Sequence, residues 1–199
     1  MRDENLLFGF EHWLDLHKMG QVIKTNMVEV PEGDVVIGDK SFHIGKFMVA
    51  RTLVTEGSWG KVMDEPNLCS RKPVTGVAFK EVSDYLQRLS VPWNAKGRLS
   101  IPTEAQLVLA LQKGLTRPYL NYSEICLTRF TNPNEMGGHH FFDNLPKEEP
   151  FDLVVRRGRE RSALGFERSE MRTGFRLVLV DYDQNDDDLI IKYLKEGMK

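Results

Sequence analysis

At 199 residues, 41% hydrophobic and 28% charged, the chain is long enough for one well-buried core and short for two ordinary domains with a linker. A formal net charge of -2 weighs against a general nucleic-acid binder, whose affinity rests on neutralising phosphates. No run of about 18 apolar residues offers a membrane span, the acid-bearing opening Met1-Arg2-Asp3-Glu4-Asn5 argues against a secretory signal, and two cysteines in unrelated contexts, Cys69 and Cys126, point to a reducing, cytoplasmic compartment.

The spacing of Leu6, Leu7, Phe10, Trp13, Leu14 and His17 predicts a helix over residues 4–19, stopped by Gly20. Residues 27–37 read as a strand pair broken by the turn cluster Pro31-Glu32-Gly33-Asp34, and residues 42–49 as one further strand. Thr55 is placed to cap a short helix carrying Trp59, Val62 and Met63, which Gly57 and Gly60 weaken. Phe79, Val82, Leu86 and Leu89 form one apolar face of a helix over 78–89. A reciprocal capping box of Thr103 and Gln106 starts the next helix, which Gly114 stops. Its Leu107 and Leu111 are expected to face a strand over residues 175–180.

Residues 115–150 hold many turn formers and read as a long functional or mobile loop. Strands are expected over 151–156 and 175–180, with an arginine-rich connection between them. Asp186, Asp187 and Asp188 cap a final short helix. The division that results is a helical extension over 1–26, one domain over 27–180 and an acidic segment over 181–199.

Seven short motifs stand in a particular order. They include Met27-Val28-Glu29-Val30 with its turn and Gly38, Phe47 to Thr55, and Lys72-Pro73-Val74 running on to Val82. Ile101-Pro102-Thr103-Glu104-Ala105-Gln106, Asn121-Tyr122-Ser123-Glu124, Val154-Val155-Arg156-Arg157-Gly158 and Gly174-Phe175-Arg176 complete the series. This order resembles the formylglycine-generating-enzyme (sulfatase-modifying factor) family, most specifically in the fourth motif, which is similar to that family's "LPTEAEW". The resemblance implies an α+β fold of the irregular C-type-lectin-like kind, with two main helices on a small twisted antiparallel sheet. It also implies copper chemistry on a cysteine pair just before "GFR", yet residues 157–173 contain no cysteine. A scaffold kept and a site lost imply a catalytically degenerate member.

The candidate residues follow from these patterns. Arg156, Arg157, Arg159, Arg161, Arg168, Arg172 and Arg176 crowd a short stretch, and arginine forks suit carboxylate or phosphate recognition. By the resemblance, Arg156 and Arg176 tie loops together internally. Arg157, Arg159, Arg161 and Arg168 are then expected on a binding face, helped by Phe141 or Phe142. His139 and His140, in a glycine-flexed loop with Asp143, form a metal candidate set against a plain surface loop. Asn121 and Glu124 match family positions that hold a structural calcium ion, which needs about six to eight oxygens. No other cofactor is expected. Glu104 is read as structural, bound up in its helix cap. The expected function is non-catalytic docking on a protein partner, as a phage or bacterial regulator, against a metal enzyme of altered chemistry or a nucleic-acid binder using the arginines.

Overall fold

The computed structural model describes residues 23, 25–65, 70–90, 98–119, 121–129, 152–165 and 168–180. The helix expected over 4–19 and the acidic segment with its short helix lie outside the described residues, as does Cys69. What is described is an α+β fold. Strands β1 (Met27–Val30), β2 (Gly33–Ile37), β3 (Lys40–Ile44) and β4 (Phe47–Ala50) come first, followed by helices α1 (Glu56–Met63) and α2 (Phe79–Ser90). Strand β5 (Arg98–Ser100) and helix α3 (Glu104–Gln112) lead to β6 (Ser123–Arg129), β7 (Asp152–Arg157), β8 (Glu160–Gly165), β9 (Thr173–Gly174) and β10 (Val178–Val180). Among the described residues no helix is long and apolar enough to cross a membrane.

The strands divide into a sheet ordered β1-β4-β10-β5, a β2-β3 hairpin, and a sheet ordered β8-β7-β6-β9. All pairings are antiparallel except β6 with β9. The single strand expected over 42–49 is two strands, because Gly45 and Lys46 interrupt it and β3 turns back onto β2 while β4 joins β1. Likewise the run expected over 175–180 breaks. Residues 173–177 thread between two neighbouring segments, with Val54 N–H donating to Phe175 O at 2.9 Å, Gly76 N–H to Thr173 O at 3.1 Å and Ala50 N–H to Leu177 O at 2.8 Å. The passage is tight: a Cβ on Gly174 would sit 2.7 Å from Val74 O. Glycine is required there by close backbone approach.

The residues between β7 and β9 are the largest departure from expectation. The stretch read as a connection contains β8, which pairs with β7 through the turn at Gly158, whose φ of 62° favours glycine.

Two apolar layers hold the helices. On α2, Phe79, Val82, Tyr85 and Leu89 are buried in a cluster with Trp59, Leu99, Phe175 and Leu177, while Leu86 is only partly buried. Trp59 stacks on Tyr85 with centroids 5.3 Å apart, and Phe175 meets both rings edge-on at 6.0 and 5.5 Å. Such offset and edge-on contacts are favoured by the ring quadrupoles. The Tyr85 hydroxyl finds Ser58 Oγ at 3.0 Å, as a buried phenol must, and burial pushes its pKa well up.

Helix α3 begins with the predicted capping box. Gln106 N–H donates to Thr103 Oγ1 at 3.2 Å, and Thr103 N–H donates to Gln106 Oε1 at 2.9 Å. Replacing Thr103 by Ala is therefore expected to cost about 1 kcal/mol, read as a lower urea midpoint with unchanged m-value. No shift in midpoint would mean the cap is dispensable.

The packing of α3 differs from the expectation. Leu107 packs with Cys126 of β6 and Val154 of β7, with Leu111 against them. It is Ala105, Leu109 and Ala110 that join Val178 of β10, together with β2, β3 and β4. The helix is buried on two sides, so one apolar stripe did not define its partner. Past Lys113, Gly114 N–H donates to Leu111 O and Leu115 N–H to Ala110 O, both at 3.1 Å. These are the paired bonds of a glycine-stopped helix, with Gly114 at φ 67°.

Candidate functional site

The interior between α3 and the second sheet holds two carboxylates and three guanidiniums. Glu104 sits at the first position of α3, fixed by the capping box on one side and by its own N–H donating to Thr128 Oγ1 at 2.8 Å. Its carboxylate is fully buried and accepts from Arg156 Nη1 at 2.5 Å and from Arg161 Nε at 2.9 and 3.0 Å. The two arginines converge for a simple reason. Arg156 and Arg161 are direct cross-strand partners in the β7–β8 hairpin, so their side chains leave the same face. Arg156 Nη2 also reaches the carbonyls of Gly158 and Arg159 at 3.4 and 3.5 Å, which ties the hairpin turn to the cluster.

A second cluster lies at the start of β6. Both oxygens of Glu124 accept from Arg176, Oε2 from Nε at 2.5 Å and Oε1 from Nη2 at 2.7 Å. The Arg176 side chain has no exposed surface. Its remaining donors reach Ala50 O at 3.0 Å, Arg51 O at 3.5 Å, Arg117 O at 3.4 Å and the Thr116 hydroxyl. One guanidinium thus joins the end of β4, the loop after α3 and β6.

Cys126 lies near both clusters. Burial first, and then the carboxylates of Glu104 and Glu124, push its thiol well above its ordinary range, against the pull of Arg156 and Arg176. A buried thiol held in its protonated form is a poor nucleophile. The carboxylate oxygens are likewise taken up by arginine donors, which suits them to holding strands together rather than to moving protons.

The sequence-predicted residues separate on this frame. Arg156 and Arg176 are internal ties, as expected. Arg161 is not part of an outward face: its side chain is only 13% exposed and its Nε is spent on Glu104. Arg157 is exposed and paired with Glu160 across the hairpin turn, Nη2 to Oε2 at 2.7 Å. Arg159 is exposed at the turn, and Arg168, exposed too, lies alongside Gly165. Arg172 is exposed as well, and so is Met171 at 88%, a residue the sequence did not single out.

The calcium candidates do not converge on a cation. Asn121 is exposed, while Glu124 turns both oxygens to Arg176. Among the described residues no group of three or more His, Cys, Asp or Glu side chains is placed to hold a metal. His139, His140, Phe141 and Phe142 lie outside the described residues. His43 bonds Asp34 across the β2–β3 hairpin at 2.8 Å.

No protein-family model matches the chain, and no curated protein matches it. Among solved structures the chain is similar to Treponema denticola variable protein 1, with a TM-score of 0.60, 15% identity, and coverage of 77% of this chain and 94% of that one. It is also similar to CarF, with a TM-score of 0.58, 14% identity, and coverage of 79% and 98%. Likeness at this level of identity speaks for a shared fold alone.

Proposed function

We propose that the chain is a non-catalytic binding protein of the formylglycine-generating-enzyme type, on a C-type-lectin-like scaffold, and that it docks on a protein partner in the cytoplasm as a phage or bacterial regulator. One observation carries this reading. The buried carboxylates are saturated by Arg156, Arg161 and Arg176, while Arg157, Arg159, Arg168 and Arg172 are exposed, as is Met171. Arg156 and Arg161 tie the hairpin to α3 through Glu104, and the exposed arginines offer forks to a partner. Arginine and methionine are enriched at protein interfaces, where a few residues carry most of the energy.

The test is charge reversal on the hairpin. Arg157→Glu with Arg159→Glu is expected to weaken capture of the partner at least about tenfold, some 1.4 kcal/mol, with the urea midpoint held. Arg161 is left out of the variant because its loss would disturb the core. Partner capture that survives reversal, or captured nucleic acid whose binding falls steeply with salt, would overturn the reading. Removing residues 1–20 from the intact chain in a parallel capture tests the N-terminal segment as the docking element instead.

A further inference from the structure

A groove of about 540 Å³ opens between the end of β4 and the loop that follows α3. Arg51 and Thr52 form one wall, and Thr116, Arg117, Pro118 and Tyr119 the other. Its volume falls within the range of small-molecule sites. Its chemistry is one-sided. Among the described residues no acid lines it, and neither Arg51 nor Arg117 has an ion-pair partner. Of the other exposed arginines, Arg88 pairs with Asp64 at 3.2 Å and Arg157 with Glu160, while Arg159, Arg168 and Arg172, like Arg51 and Arg117, have no ion pair among the described residues. What sets Arg51 and Arg117 apart is that they share one concave surface, where two guanidiniums can act on one ligand.

The groove is also held in shape. Arg176 lies under it and donates to Arg51 O in one wall and to Thr116 and Arg117 O in the other, while the Thr116 hydroxyl donates to Arg51 O at 3.2 Å. Glu124 in turn fixes Arg176 through both oxygens. Tyr119 is fixed as well, with the Arg176 guanidinium 5.9 Å from its ring centroid and Tyr122 edge-on at 6.1 Å. Thr52 Oγ1 accepts from Asn26 Nδ2 at 2.9 Å, which leaves its own proton to give. Walls set before binding reduce the ordering cost that a ligand must otherwise overcome.

We propose that this groove binds a small organic oxyanion, a carboxylate or a phosphate ester. Arg51 and Arg117 hold the oxyanion, Thr52 donates to it, and the body of the ligand lies along Tyr119. Guanidinium forks match both oxyanions in geometry, so the headgroup is shared chemistry and its source is for experiment to separate. The site is independent of the hairpin face, since none of its residues belongs to β7 or β8.

The test is a titration of the intact, isotopically labelled chain with citrate in one arm and phenyl phosphate in the other, followed by backbone amide shifts. Saturable shifts confined to residues 51–52 and 114–119 are expected in at least one arm, and the arm that saturates names the headgroup. Arg51→Ala and Arg117→Ala, both exposed positions, should each weaken that binding at least about tenfold, while Arg157→Glu with Arg159→Glu leaves it unchanged. No saturation by about 10 mM in either arm, or equal shifts at every exposed arginine, overturns the proposal. The hairpin variants keep the two readings apart: anion binding can fail while partner capture stands, and the reverse.

Discussion

Glu104→Ala is expected to destabilise the protein by about 3–5 kcal/mol, because removing one member of a buried ion pair leaves the other charge uncompensated. Here the effect falls on two guanidiniums at once. Arg156 and Arg161 are each only 13% exposed, and both donate to this carboxylate. Neither can easily swing to water, since Arg156 is held by the carbonyls of its own turn and the pair shares one face of the hairpin. Glu104→Gln keeps the shape and one acceptor oxygen, so it should cost less than the alanine change. Urea unfolding with matched m-values reads both. A loss below about 1 kcal/mol, the size expected of a surface pair, would show that the cluster is solvated and not part of the core. Such a result would also free Arg161 for the outward face.

This cluster shows how far sequence patterns reached. The capping box identified the start of α3 and placed Glu104 in a structural role, because the reciprocal bonds are local and depend on residues three apart. The partners of Glu104 were hidden because β8 was read as a connection. Gly158 between Arg157 and Glu160 was the available signal: a short glycine turn between two strand-like runs marks a hairpin. With that hairpin in register, Arg156 and Arg161 fall opposite one another, and an inward Arg161 follows from alternation alone. Charge had masked the strand, since arginine at alternate positions looks like a solvated run until something buried requires it.

The strands were legible where turns were strong and illegible where a run of apolar residues changed sheets. Pro31 and Glu32 separate β1 from β2, the first half of the turn cluster read there, whereas Gly45 and Lys46 split β3 from β4 within a run that reads as continuous. Residues 173–180 failed in the same way. Phe175, Leu177 and Leu179 alternate with Arg176 and Val178, and all five are buried, so periodicity could not separate a strand face from a threaded segment. Nor could it locate the groove. Its two walls come from residues 65 apart in sequence, joined by the Thr116 hydroxyl and the carbonyl of Arg51, and no local pattern encodes that contact.

The guanidinium beneath that groove gives the second large expected effect. Arg176→Met should destabilise the protein by about 3–5 kcal/mol, since it strands the Glu124 carboxylate in the interior and deprives the carbonyls of Ala50, Arg51 and Arg117 of a donor. Most of that cost belongs to the orphaned carboxylate, and the double variant tests this directly. Glu124→Leu with Arg176→Met replaces the pair by apolar side chains, so it should be more stable than Arg176→Met alone, with a favourable coupling of about 1–3 kcal/mol. The carbonyls remain without their donor in both variants, and the double variant should not recover wild-type stability. If the two changes simply add, the pair contributes no coupling and Arg176 acts only through the carbonyls. If the double variant equals the wild type, the carbonyl bonds carry nothing, and the rigidity ascribed to the groove walls falls with them.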